Sequence, residues 1–247
     1  MSLLFTTSDV GKRYDQFRPK VHHVVQRWLQ AGCGQRRYRR AIDVACGTGD
    51  SSLPLIDLAD ELVCVDSSTE MLTVARRKGL MTHQMDYSNI GNLGKFDLIS
   101  TCMAFHWFDG ETAINAYKNA SNPGAVWLIY NFAFAGHASS AAFNAWLKND
   151  YLATYPSPPR NKTSNVAPRD DTHIKLIKSD SGLIPIQFTK ETLVGYLTTQ
   201  SNIEHTVQHS GDYEQIQNDL LESLGKINIT GSFKYTYTYE ILQYTGS

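Results

Sequence analysis

Residues Ala41–Asp50, AIDVACGTGD, run an apolar segment straight into a turn with glycines at Gly47 and Gly49. Glycines at that spacing let a backbone approach a ligand closely, and the segment that follows offers unpaired N–H groups. A carboxylate, Asp66, ends the next apolar run, ELVCVD, about twenty residues on. A carboxylate so placed can accept hydrogen bonds from both hydroxyls of a ribose. The pattern therefore points to a nucleoside-containing ligand, and two kinds fit at first.

A dinucleotide needs a third glycine so that its diphosphate can rest on a helix N-terminus. Here that position is Ser52, and Asp50 adds negative charge where phosphate would lie. Asp43, just before the turn, suits a cationic amino group better than a diphosphate. These residues favour S-adenosylmethionine, which has an amino acid end, a ribose and no phosphate. NAD is the weaker alternative.

The elements that must position this turn alternate along the chain. RPKVHHVVQRWLQAG repeats apolar residues at helical spacing, with Pro19 near its start and Gly32 at its end. Ala41–Ala45 reads as a first strand, followed by a short helix over Ser51–Ala59. ELVCVD is a second strand. The following SSTEMLTVARRKG is a helix, with Ser67 and Glu70 at capping-box spacing and Gly79 at its close. THQMD, FDLISTCMAF and AVWLIYNFAF read as further strands, and GETAINAYKNAS as the helix between the last two. A turn is expected at Asn122-Pro123-Gly124.

Strands and helices alternating at this interval imply parallel pairing. The expected fold is α/β: a doubly wound, Rossmann-like, mostly parallel sheet with helices on both faces. The closing FKYTYTYEILQYTG, with its alternating tyrosines, reads as an antiparallel last strand. Between them lie a helical stretch (HASSAAFNAWLKNDYLATY), a Pro-rich loop over 156–171 and the helix TKETLVGYL. The chain reads as a single domain over 1–247, with an N-terminal cap element at 1–35 and a substrate-lid insertion at 136–210.

Bulk properties narrow the partners. At 247 residues the chain suffices for one sizeable domain, and its net charge of -1 with no basic run disfavours nucleic acid. No apolar run is long enough to cross a bilayer or to serve as a signal core, so the cytoplasm is the expected compartment. Asn-x-Ser/Thr triplets begin at Asn119, Asn161 and Asn228, and carry no meaning without export. Cys33, Cys46, Cys64 and Cys102 lack metal-ligand spacing and read as reduced thiols, and no metal site is expected. The expected assembly is a monomer or homodimer.

The motifs resemble the class I S-adenosylmethionine-dependent methyltransferases. DVACGTGD is similar to that family's first motif, VDSSTEML to its acidic second and MDYSNI to its third. YDQFRP (Tyr14–Pro19) and AFHWFD resemble the branch that includes trans-aconitate methyltransferase, strongly over Tyr14–Tyr130. Where that branch commonly reads Thr-Trp-Ser, this chain has Thr199-Gln200-Ser201.

The resemblance implies S-adenosyl-L-methionine as cofactor and a small-molecule methyl acceptor. Gly47, Thr48 and Gly49 would meet the methionine part, with Arg18 and Tyr14 near its carboxylate. Asp66 would hold the ribose, Ser67 and Met71 would surround the adenine, and Asp86 with Tyr87 would meet its edge. Met103 and His106 would lie near the sulfonium. A carboxylate acceptor needs no base. An amine, hydroxyl or carbon acceptor would make His106 the base, and Tyr14, Phe105 and Trp107 could stabilise positive charge near sulfur. Arg160, Lys162 and Arg169 are candidate partners for an acidic acceptor. A non-catalytic S-adenosylmethionine-binding partner protein is the reading outside enzymes.

Overall fold

The computed structural model describes residue 5 and residues 9–158, 171–209, 212–227 and 229–246. Its frame is a seven-stranded sheet of β1 (Tyr38–Val44), β2 (Ala59–Asp66), β3 (Thr82–Gln84), β4 (Phe96–Cys102), β5 (Ser121–His137), β6 (Ile174–Gln187) and β7 (Ser232–Tyr244). The strand order is β3-β2-β1-β4-β5-β7-β6. β1 pairs in parallel with both β2 and β4, so the order reverses beside β1, and a crevice opens there at the carboxyl ends of the strands.

This is the doubly wound sheet expected from the sequence, with one addition. β7 pairs antiparallel with β5 as anticipated, but β6 then pairs antiparallel with β7 as a further edge strand. Its sequence, IKLIKSDSGLIPIQ, hides it: only Ile174 is buried, and the apolar alternation is broken by Lys-Ser-Asp-Ser-Gly. Pro185 is tolerated because an edge strand has one side without a pairing partner. Part of the span 136–210, read from sequence as an insertion over the site, thus belongs to the sheet.

Helices cover both faces. On one side α2 (Val24–Cys33), α5 (Ala141–Trp146), α7 (Lys190–Leu197), α8 (Ser201–His209) and α9 (Tyr213–Gly225) bury apolar residues around Val25, Phe143, Leu193, Ile203 and Leu220. α5 continues through a π turn (Leu147–Tyr151) into the single turn α6 (Leu152–Thr154). On the other side α4 (Gly110–Asn119) packs with the 3-10 helix Tyr87–Leu93 around Ile42, Ile99 and Tyr117, and α3 (Thr69–Arg77) contributes Leu72 and Ala75. No helix among the described residues is long and apolar enough to cross a membrane.

Several local expectations shift. α2 passes through Gly32, and it is Gly34 that closes it in a left-handed conformation. The α3 N-cap is Ser68, whose hydroxyl accepts from Met71 N, not Ser67. The segment after the glycine turn is a 3-10 helix, Leu53–Leu58. The Asn122–Gly124 turn lies inside β5 as an irregularity of its pairing with β4.

The N-terminal element folds as α1 (Val10–Phe17), wedged between α3 and α7. Its close approaches demand glycine. A Cβ on Gly11 would lie 2.8 Å from Glu70 O, and one on Gly195 of α7 only 2.3 Å from Phe17 Cδ1. Gly195→Ala is therefore expected to cost about 1–3 kcal/mol of stability through overpacking against the Phe17 ring. A urea unfolding curve reads this directly, and an unchanged midpoint would show that α1 is not seated as described.

Candidate active site

A cleft of about 420 Å³ opens at the strand reversal, between the ends of β1, β2 and β4. Its walls carry Tyr14, Gly47, Asp66, Ser67, Met71, Asp86, Tyr87 and Met103, eight of the residues singled out from sequence. Arg18, Thr48, Gly49 and His106 do not line it.

The two glycines of the turn have different tasks. Both have positive φ, 55° at Gly47 and 85° at Gly49. A Cβ on Gly47 would meet nothing within 4 Å, so the backbone there is open to a ligand. One on Gly49 would lie 2.3 Å from Leu80 Cδ1 and 3.4 Å from Ala75 Cβ, so Gly49 lets the turn pack on α3 and Leu80. Thr48 is buried at 1% exposure beside them.

Strain marks the same place. Ala45 and Met103, at the ends of β1 and β4, adopt φ of 57° and 54°, and both line the cleft. Such conformations cost of order 1–3 kcal/mol and cluster where function requires them.

Asp66 pins the turn to α3. Its Oδ2 accepts from Gly47 N at 2.9 Å and its Oδ1 from Ser68 N at 2.8 Å. A carboxylate has about four acceptor sites, so each oxygen keeps capacity for a ligand hydroxyl. Burial raises the Asp66 pKa, opposed by these N–H groups and that of Ser67. Asp86 caps the 3-10 helix after β3, its Oδ1 accepting from Ser88 N and Ser88 Oγ. Tyr87 stacks on Phe108 at 4.0 Å between centroids, and its hydroxyl accepts from Asp109 N.

Sequence reasoning did not single out Asp109, Thr112, Phe108 and Ser68 as lining residues. Asp109 Oδ1 accepts from Thr112 N and Oγ1 to cap α4, so the signal was available as a helix start. His106 is half-buried beside the cleft, its ring 4.8 Å from that of Trp107, which does line it. Phe105 is buried against Phe108 and Tyr117 and does not line it.

Two acidic residues act differently from expectation. Asp43 is fully buried, and its Oδ2 accepts from Ser51 Oγ and Ser52 Oγ, both at 2.6 Å. It braces the turn from beneath instead of facing a cationic ligand. Asp50 is neutralised by Lys20 at 2.6 Å and Lys78 at 2.7 Å, and both lysines also bind Asp15 of α1. Its charge therefore does not stand alone against a phosphate. The case against one rests instead on these lysines being engaged by carboxylates.

Tyr14 lines the cleft from α1. Burial pushes its hydroxyl up to about 12, against the lowering effect of Arg18. Arg18 sits over the Tyr14 ring at 4.4 Å, and its Nη2 donates to Thr199 O at 2.7 Å. Arg160, Lys162 and Arg169, and most of the loop read as a lid, lie outside the described residues.

Comparison with known proteins agrees with this geometry. Residues 41–124 match a family model described as a methyltransferase domain. Malonyl-[acyl-carrier protein] O-methyltransferase of Enterobacter lignolyticus is 32% identical over 102 residues, 40% of this chain and 41% of that protein. Trans-aconitate 2-methyltransferase of Deinococcus radiodurans is 28% identical over 137 residues, 54% of this chain and 53% of that protein. The chain thus spans about half the length of these curated relatives. Among solved structures, one from Anaeromyxobacter dehalogenans, assigned by name as a type II methyltransferase, superposes with a TM-score of 0.66 at 20% identity. That match covers 93% of this chain and 99% of the other. With β1, the glycine turn, β2 and β4 inside the matched region, residues 41–124 are similar to a methyltransferase domain, and the chain shares the fold of that solved structure.

Proposed function

We propose that the chain binds S-adenosylmethionine and transfers its methyl group to a small molecule, with a carboxylate oxygen as the leading acceptor. The observation that carries this reading is one cleft holding the open Gly47 turn, the strained Ala45 and Met103, and the carboxylates Asp66 and Asp86. The residues fit the cofactor. Asp66 retains lone pairs for two ribose hydroxyls, and Asp86 Oδ2 accepts no hydrogen bond among the described residues, leaving it for an adenine amino group. Gly47 leaves room for the methionine part. A diphosphate would find Lys20 and Lys78 already engaged.

When bound, S-adenosylmethionine supplies a methyl carbon on a sulfonium leaving group. The chain's part is to align an acceptor lone pair with that carbon and to keep water away. Tyr14 and Trp107 line the cleft, and an aromatic face turned to positive charge there is worth about 0.5–2 kcal/mol. A carboxylate acceptor arrives ionised, so no proton moves and His106 is not required. The two curated relatives, named for methylating trans-aconitate and a malonyl thioester, support an acidic acceptor.

The test is calorimetric titration with S-adenosylhomocysteine. The parent is expected to bind it, and Asp66→Ala to lose about 1–3 kcal/mol of that affinity. NADH should produce no heat. A parent that fails to bind S-adenosylhomocysteine rejects the reading. Binding without methyl transfer to any of a panel of small acids favours the non-catalytic binding protein instead.

A further inference from the structure

α8 carries a pair of histidines that the cleft does not use. His205 and His209 stand four positions apart, so both side chains fall on one face of the helix, with Cβ atoms about 5–6 Å apart. Their rings lie against one another, 4.3 Å between centroids and inclined at 33°. His209 is exposed and His205 half-buried, so solvent reaches the pair. The spacing of the cysteines gives no metal site, but two imidazoles in this helical register have the arrangement of a chelating pair.

Hydrogen bonding selects a ligand state for one of them. His209 Nδ1 lies 2.7 Å from the backbone carbonyl oxygen of His205. A carbonyl only accepts, so Nδ1 carries the proton and, in the neutral ring, Nε2 keeps its lone pair. Metal-binding histidines are oriented in this way, by donating the other ring N–H to a carboxylate or a backbone carbonyl. The His205 ring makes no hydrogen bond among the described residues, its contact being with His209. It can therefore turn a nitrogen toward His209 Nε2 without giving up a hydrogen bond. Two nitrogens on one tetrahedral metal, each bound at about 2.0–2.1 Å, are roughly 3.3 Å apart. Rings with centroids 4.3 Å apart reach that separation by a small rotation.

Position favours a cation as well. His209 is the last residue of α8, at the negative end of the helix dipole. No cluster of three or more His, Cys, Asp or Glu that could hold a metal exists among the described residues, so water must complete the coordination shell.

We infer that His205 and His209 form a two-point site for a divalent transition metal of the kind imidazole prefers, Zn²⁺, Ni²⁺ or Cu²⁺. Mg²⁺ and Ca²⁺, which take oxygen ligands, do not fit it. Bound there, the metal clamps the last turn of α8. Glu204, next to His205, accepts from Arg13 of α1, the helix that brings Tyr14 to the cleft. The metal thus steadies the support of the cap element from outside the cleft and takes no part in group transfer.

The purified full chain, free of any affinity tag, is titrated calorimetrically with NiCl₂ and ZnCl₂, and with MgCl₂ as control. Ni²⁺ is used in place of Cu²⁺ because it does not oxidise thiols. One Ni²⁺ per chain should bind, and Mg²⁺ should not. His205→Gln and His209→Gln should each weaken Ni²⁺ by about tenfold or more, since each removes one of two protein ligands. At one Ni²⁺ concentration, the urea midpoint of the parent should rise more than that of either variant. Without metal the variants should unfold at the parent's midpoint, so that weakened binding reports a lost ligand and not a lost fold. A parent that takes up neither Ni²⁺ nor Zn²⁺ at millimolar concentration overturns the inference. Binding undiminished in both variants places the metal on the cysteines or other histidines and also overturns it, as does a loss confined to one variant. S-adenosylhomocysteine enters none of these outcomes, so this site and the methyltransferase reading stand or fall separately.

Discussion

Glu204→Ala is expected to lower the unfolding free energy by about 3 kcal/mol, the lower end for opening a buried ion pair. Its side chain is fully buried, and it accepts from Arg13 Nη2 at 2.8 Å and from the Tyr213 hydroxyl. The Arg13 guanidinium also lies 3.3 Å from the Tyr213 ring centroid. One carboxylate thus joins α1 to α8 and α9, and its removal leaves the Arg13 charge largely enclosed. Arg13 keeps 18% exposure, which is why the lower end applies. Chemical denaturation of Glu204→Ala, Arg13→Met and the double variant checks the account. The double variant should recover part of the loss, because two apolar side chains leave no charge stranded. Single variants whose losses simply add would show that the pair does not act as one unit.

The second large effect concerns pH. Burial raises the Asp43 carboxyl to about 6, against the lowering influence of Ser51, Ser52 and Ser100. A raised pKa means that the folded state binds a proton more tightly than the unfolded state. Stability therefore falls as pH rises from the unfolded value, near 3.8, to about 6, and levels off above it. The rise from 3.8 to about 6 corresponds to a change on the order of 3 kcal/mol. Asp43→Asn keeps an oxygen for both serine hydroxyls and removes the titration. Its stability should thus change less between pH 4 and 6.5 than the parent's, and it should be at least as stable as the parent at pH 8. Parallel slopes for the two proteins over that range would sink the argument.

The same residues show how far sequence carries. Gly47 and Gly49 look alike in GTG, yet one leaves space for a ligand and the other makes room for Leu80 and Ala75. That difference is set by α3 and the turn that follows it, more than twenty residues downstream. Spacing to Glu70 favours Ser67 as the α3 cap, yet Ser68 takes that role, its hydroxyl accepting from Met71 N. Asp50 read as bare negative charge because its partners, Lys20 and Lys78, come from two other elements. β6 was missed because an edge strand with little buried surface has no strong alternation, and only pairing with β7 defines it.

What the sequence by itself determined is the local grammar: apolar strands separated by capped helices, a glycine turn after the first strand, and an acidic residue ending the second. Those features act over a few residues, and parallel pairing with crossover helices follows from their order. Tertiary structure decided what depends on distant segments meeting. Arg18 reaches Thr199 across 181 positions of sequence, a contact that no local pattern announces. Burial, and with it the strength of every charge in the site, is a property of the packed molecule and is written in no short stretch of the chain.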